Sequence, residues 1–278
     1  MINWVVALKA EAQPLIERFE MVRVNEARKP FPVFHSGDGR MRLVISGPGR
    51  VLSGAAVGYL CGLQREARGA LGWVNFGIAG SGSLDFGKLF LAAKVTCEGN
   101  SWFPAATWPR KDDLERRSVR TVDQPCENYP PNGELVEMEA AGFLSVALKQ
   151  STAELCHVLK VVSDDPEHSI SGINKTKVRG LCEKALTEAE TWLGSFTHEV
   201  QEQMSLDADP FGFSELKKAH RFSVTELHQL RKLLVQWSAL MPPDVEPAWK
   251  ELTPLRDGKS CLIELRRELE KLRRSENS

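Results

Sequence analysis

Over roughly its first 198 residues the chain alternates short apolar runs with longer stretches whose apolar side chains recur every three or four positions. A short unbroken apolar run suits a buried strand, and the three-to-four spacing suits one face of a helix. Ile2–Leu8 predicts a strand. Ala10–Phe19 predicts a helix, with Leu15, Ile16 and Phe19 at helical spacing and Pro14 near its first turn, where proline is tolerated. Arg42–Ser46, Leu71–Phe76, Lys88–Val95 and His157–Val162 predict further strands. Val51–Leu63, Val136–Leu148 and Lys177–Leu193 predict helices, the last with Val178, Leu181, Ala185, Ala189 and Trp192 on one face. Strands alternating with helices imply an α/β layered fold. A parallel strand order places the loops that follow the strands at one edge, where such folds bind ligands.

Two stretches break this rhythm. Residues 96–134 hold Trp102, Trp108, several prolines and the charge run Arg110–Arg117, and read as a long loop or a lid. After about residue 199 the pattern becomes helical. Ser205–Pro210 is polar and acidic and reads as a linker. At Phe222–Leu227, Ser223 caps a helix, Glu226 closes a capping box and Phe222 pairs with Leu227 as a staple. Leu227, Leu230, Leu234, Trp237 and Met241 then line one face until Pro242-Pro243. Leu262, Leu265, Leu269 and Leu272 mark a charged amphipathic helix that is too short for an independent coiled coil. The expected division is an α/β domain over 1–198 and a helical extension over 199–278.

Composition narrows the function classes. A formal net charge of −1 gives no global field for nucleic acid or an anionic membrane surface. Between Ser214 and Ser278 thirteen basic residues face ten acidic ones, far from the basic stripe that DNA reading needs. The six cysteines are scattered without a Cys-x-x-Cys pair, as expected of reduced thiols in a cytoplasmic protein. No apolar run approaches the ~18 residues of a membrane span. The N-terminus reads as a first strand rather than a signal peptide. The six histidines are dispersed, with no zinc spacing, so no metal is expected. Gly77, Gly80 and Gly82 are wrongly spaced for a dinucleotide fingerprint.

The candidate chemistry lies in four carboxylates. Glu11 follows the first strand, Glu137 and Glu139 open a predicted helix, and Asp164 follows Val162-Ser163 at a strand end. Carboxylates at such places most often cap helices or turns. Here they accompany two glycine turns after strands, Gly47-Pro48-Gly49-Arg50 and Gly77-Ile78-Ala79-Gly80-Ser81-Gly82. Glycine there lets the backbone approach a ligand and present its amides. Acidic groups so gathered suit a site that holds ribose hydroxyls and protonates a leaving base. Two apart in a helix, Glu137 and Glu139 are expected to face different sides.

Taken in order, these motifs resemble the nucleoside phosphorylase and methylthioadenosine/S-adenosylhomocysteine nucleosidase superfamily over about the first 195 residues. Ala7-Leu8-Lys9-Ala10-Glu11 resembles its first strand-to-helix segment, and Gly47–Val51 and Asn75–Gly82 its two glycine turns. Asp85–Leu89 resembles the lead into its next strand, Val136-Glu137-Met138-Glu139-Ala140 its ribose-binding motif, and Val162-Ser163-Asp164 its base-protonating one. The resemblance implies a three-layer αβα fold around a central mixed, mostly parallel twisted sheet, here with a helical C-terminal extension. It also implies a homo-oligomer acting on a small-molecule nucleoside without a cofactor.

By position, Asp164 would protonate the base and Glu11 would activate water at C1′. Glu139 would bind ribose hydroxyls, Met138 would pack on the sugar and Ser163 would orient Asp164, with Glu137, Ala79 and Gly80 in the binding set. Gly49, Arg50, Gly77 and Ile78 would form a phosphate or water site. Where the family commonly has a serine against its nucleophile this chain has Ile78, whose side chain forms no hydrogen bond. Glu11 would also repel phosphate. Hydrolysis of a purine riboside is therefore preferred to phosphorolysis. The family's base-contacting aromatic, expected near Asp123–Cys126, has no clear counterpart; Trp102, Trp108 and Phe143 are candidates, and His168 lies close after Asp164. A nucleoside-binding or interaction protein with a degenerate site is the alternative from another class.

Overall fold

A computed structural model describes residues 1–24, 30–63, 71–104, 114–126, 129–169, 172–207, 209–240, 252 and 254–275. The sequence readings at Trp108, at residues 110–113 and at Met241–Pro243 lie outside the described residues. The chain divides into two compact units, Met1–Asp207 and Ala208–Ser278.

The first unit opens with β1 (Ile2–Val6) and α1 (Lys9–Arg18), then β2 (Val22–Arg23), β3 (Val33–His35) and β4 (Met41–Ile45). Helix α2 (Arg50–Leu63) leads to β5 (Gly72–Gly80). Strands β6 (Leu89–Cys97), β7 (Asn100–Trp102), β8 (Arg116–Thr121) and β9 (Leu135–Glu137) precede α3 (Ala140–Ala147). Strand β10 (Cys156–Asp164) and helices α4 (Lys175–Glu188) and α5 (Glu190–Asp207) complete the unit.

Among the described residues, ten strands form one mixed sheet. Its centre is parallel, in the order β4–β1–β5–β10. Strands β3 and β2 extend it antiparallel beyond β4. At the other end β10 pairs with β6, β6 with β8 and β8 with β9, and β9 returns to β5 through the Gly80–Val136 pair. Five strands therefore curl into a closed ring. The alternation of side chains along β1 explains the layers: Ile2, Trp4 and Val6 pack with α1, α4 and α5, whereas Val5 packs on the opposite face with α2 and α3. The architecture is the expected three-layer αβα arrangement.

Several local expectations are corrected. Strand β5 runs on to Gly80, so Gly77–Gly80 is strand and not turn. The helix expected from Val136 starts at Ala140, because Leu135–Glu137 are drawn into the sheet beside β8. The helix expected over Lys177–Leu193 breaks at Ala189. Residues 96–134, read as loop, contain β7 and β8. The alternation of β8 is hidden because Arg-Arg-Ser-Val-Arg-Thr is mostly polar and only Val119 and Thr121 are buried. Helix α5 continues through residue 198, and the break between units follows Asp207.

The second unit contains α6 (Phe213–Ala219), α7 (Val224–Leu240) and α8 (Gly258–Ser275) around Leu216, Leu230, Leu234, Trp237, Leu262, Leu265 and Leu269. The predicted capping box is present: the Ser223 N–H donates to Glu226 Oε2 at 2.7 Å and the Glu226 N–H to Ser223 Oγ at 3.3 Å. Among the described residues no helix is long and apolar enough to cross a membrane.

Helices α2 and α3 meet through glycine. A Cβ on Gly54 would lie 3.0 Å from the Gly142 carbonyl oxygen, and one on Gly142 would overlap the Arg50 carbonyl. This close crossing holds the N-terminus of α2 beside Glu139 at the start of α3. Gly142→Ala is expected to lower the unfolding free energy by about 1–3 kcal/mol in chemical denaturation, the usual cost of overpacking; an unchanged midpoint would show that the helices part freely.

Candidate active site

The ends of β1, β5 and β10 open on one pocket of about 310 Å³, at the small end of the range for ligand pockets. Glu11, Glu137, Met138, Glu139, Ser163 and Asp164 all line it, as do Ile78, Ala79 and Gly80. The widely separated acids of the sequence therefore converge. Gly49, Arg50 and Gly77 are not part of the lining.

Parallel pairing of β10 with β5 sets the levels. Lys160 stands beside Gly77, and an irregular register between Val162 and Asp164 brings Asp164 opposite Gly80. An extra residue of this kind re-aims a side chain at a strand end. Gly77 leaves room for Glu11, since a Cβ there would lie 2.7 Å from Glu11 Oε1. The Leu8 N–H donates to Glu11 Oε2 at 2.8 Å and the Ile78 N–H to Oε1 at 2.9 Å. Glu11 is only 3% exposed. Burial raises its pKa to about 7, against the opposing pull of the Lys160 charge and these two amides.

Lys160 is 1% exposed, and its Nζ lies 2.8 Å from Glu137 Oε2 and 3.7 Å from Glu139 Oε2. Burial alone lowers an ammonium pKa, but Glu137, Glu139 and Glu11 outweigh it and hold Lys160 above its ordinary value. Glu137 also accepts the Thr121 hydroxyl at 2.6 Å and the N–H groups of Glu139 and Ala140, so it caps α3 while it pairs with Lys160. Helical periodicity does not separate Glu137 from Glu139, contrary to expectation, because Glu137 ends a strand and Glu139 is the cap residue of α3. Glu139 accepts the Gly49 N–H at 2.8 Å. Burial raises its pKa, with Lys160 opposing and Glu137 adding to the rise. Gly49 has φ of +100°, a conformation that favours glycine.

Asp164 is buried, with each carboxyl oxygen held by a hydroxyl. Ser163 Oγ donates to Oδ1, and the Tyr129 hydroxyl donates to Oδ2 at 2.5 Å. Arg50 is turned toward two other acids, with Nη1 2.8 Å from Glu98 and Nε 2.8 Å from Asp123. His168 pairs with Asp165 at 2.9 Å and stacks on Phe86. Phe143 is packed in the core between α3 and the sheet, and Trp102 lies on β7. Among the described residues no group of His, Cys, Asp and Glu is arranged to hold a metal ion.

Two residues of this constellation were missed in the sequence. Lys160 had a signal, a charge inside an otherwise apolar strand, which is tolerated in burial only with a partner. Tyr129 had none, because it belongs to a proline-flanked stretch with no period.

No protein-family model matches the sequence, and no curated protein matches it. Solved structures do. Futalosine hydrolase of Helicobacter pylori is 17% identical with a TM-score of 0.53, covering 70% of this chain and 97% of that one. The 5′-methylthioadenosine/S-adenosylhomocysteine nucleosidase of the same organism, solved with butyl-thio-DADMe-Immucillin-A, is 16% identical with a TM-score of 0.53, covering 70% and 97%. The 5′-methylthioadenosine nucleosidase of Arabidopsis thaliana is 17% identical with a TM-score of 0.53, covering 70% and 95%. These neighbours belong to the nucleoside phosphorylase/nucleosidase superfamily, and this chain has their fold.

Removing the buried cation leaves Glu137 and Glu139 uncompensated. Lys160→Met is expected to cost about 3–5 kcal/mol of unfolding free energy in urea, as broken buried pairs do, with Lys160→Arg closer to the parent. A loss below about 1 kcal/mol, the scale of an exposed pair, would show that the cluster is not desolvated.

Proposed function

We propose that the chain is a nucleosidase that hydrolyses the N-glycosidic bond of a purine riboside. The observation that carries this reading is the convergence of Glu11, Glu139 and Asp164 on one pocket. Bond cleavage passes through an oxocarbenium-like state in which the base gains electrons and the sugar loses them. The two ends need opposite help. Asp164 protonates the departing base, with Ser163 and Tyr129 holding its carboxyl. Glu11 removes a proton from the water that attacks C1′, and the Lys160 charge favours the ionised form it needs. Glu139 takes the ribose hydroxyls and Met138 packs on the sugar. Glu137 is committed to the α3 terminus and Lys160, so it supports the wall of the site. Acid and base in separate environments can hold opposite protonation states at one pH.

Water is favoured over phosphate because the donors an anion would use are occupied. The amides of Leu8, Ile78 and Gly49 donate to Glu11 and Glu139, and Arg50 is engaged by Glu98 and Asp123. Four carboxylates in the lining also oppose an anion. The Met1–Asp207 unit carries this chemistry, and the helical unit is a separate module.

Free base should appear when the protein is incubated with a panel of purine nucleosides, at the same rate with and without phosphate. Release that requires phosphate would convert the reading to phosphorolysis, and no release with any nucleoside would leave a binding protein. Asp164→Asn should abolish turnover, and Glu11→Gln should slow it by about 10²–10⁴-fold, the usual worth of a general base, while sparing nucleoside binding. Glu11 must be ionised to act and burial lifts its pKa to about 7, so kcat should climb as pH rises through about 7. A flat profile from pH 5 to 9 (about two units either side) would remove Glu11 as the base.

A further inference from the structure

We infer that Tyr129 is a positioning residue whose hydroxyl, acting with that of Ser163, fixes the Asp164 carboxyl in the orientation from which it passes its proton to the leaving base. The inference rests on the nucleosidase reading and adds to the Ser163 contact a second one, from Tyr129, that the sequence motifs do not contain. Tyr129 Oη lies 2.5 Å from Asp164 Oδ2 and donates to it, while Ser163 Oγ donates to Oδ1. The carboxyl is thus gripped at both oxygens from two parts of the chain, the bulged end of β10 and the segment before β9.

The fit of Tyr129 is built into the backbone around it. A Cβ on Gly80 would collide with both the Tyr129 ring and Asp164 Oδ2. A Cβ on Gly82 would lie 3.0 Å from Tyr129 Cβ and 3.2 Å from the Pro130 carbonyl oxygen. Tyr129 therefore lies along the glycine-bearing end of β5. Tyr129 is not among the residues that line the pocket.

The consequence follows from charge. As the C1′–N bond breaks, its electron pair goes to the base, the Asp164 proton passes to a base nitrogen and a carboxylate is left behind. Water adds to C1′ and gives a proton to Glu11. Hydroxyls that hold the carboxyl at both oxygens fix the direction of proton transfer, so their help is realised only when a proton passes to the leaving group. Such help matters only when the leaving group needs a proton.

The test compares two leaving groups. A purine nucleoside needs protonation, whereas p-nitrophenyl β-D-riboside releases a stable anion. Tyr129→Phe should lower kcat on the nucleoside by about 10- to 100-fold, with KM within about twofold and the rate on the nitrophenyl riboside within about threefold. Ser163→Ala, which strips the other oxygen, should give the same leaving-group pattern and serves if Tyr129→Phe fails to fold, as judged by thermal unfolding. Equal losses on both substrates, a change confined to KM, or no change overturns the inference while the nucleosidase reading stands. A parent protein inert toward every nucleoside overturns both.

Discussion

Buried carboxylates repel one another strongly where water is excluded, and this pocket gathers several of them at one end of the sheet. Lys160 makes that tolerable. Its ammonium lies against Glu137 and Glu139, and its field reaches Glu11. One cation does not neutralise three acids, and the imbalance falls on Glu11 and Glu139. Glu137, saturated by amides, a hydroxyl and Lys160, is the fixed member of the group. Glu11 and Glu139 have fewer partners, and burial raises both of their pKa values. With a pKa of about 7, Glu11 can take and release a proton near neutral pH.

The sheet delivers these groups by register. Parallel pairing of β5 and β10 aligns Lys160 with Gly77 and brings Asp164 opposite Gly80. The two glycines do different work from that expected of turn residues. They are strand positions where a missing side chain admits one from elsewhere in the chain, Glu11 at Gly77 and Asp164 with Tyr129 at Gly80. The Gly54–Gly142 approach of α2 and α3 has a similar role at a larger scale. It brings the Gly49 amide within reach of Glu139. Close backbone approach, more than any single motif, sets the dimensions of the site.

The alternating α/β pattern, the buried strands and the leucine faces of the helical unit were legible because each burial face leaves a period in the sequence. Ile2–Leu8 and His157–Val162 read as strands since most of their side chains are apolar, and they fall on β1 and β10. Strand β8 was not legible, because arginines occupy its partly exposed positions. Neither was the extension of β5 through Gly77–Gly80, where small residues look like a turn until the neighbouring carboxylates are seen.

By itself the sequence determined the layer order, the helical C-terminal part and the types of acid available for chemistry. Hydrophobic period and the placement of carboxylates at element ends are local properties, and local properties survive in one dimension. Only the tertiary structure decided that Glu11, Glu139 and Asp164 share one pocket, that Lys160 lies among the acids, and that Tyr129 reaches Asp164. It also decided that Arg50 faces Glu98 and Asp123 instead of the pocket. Each of those outcomes depends on contacts between residues distant along the chain, fixed by strand register and helix crossing, and no periodicity records them.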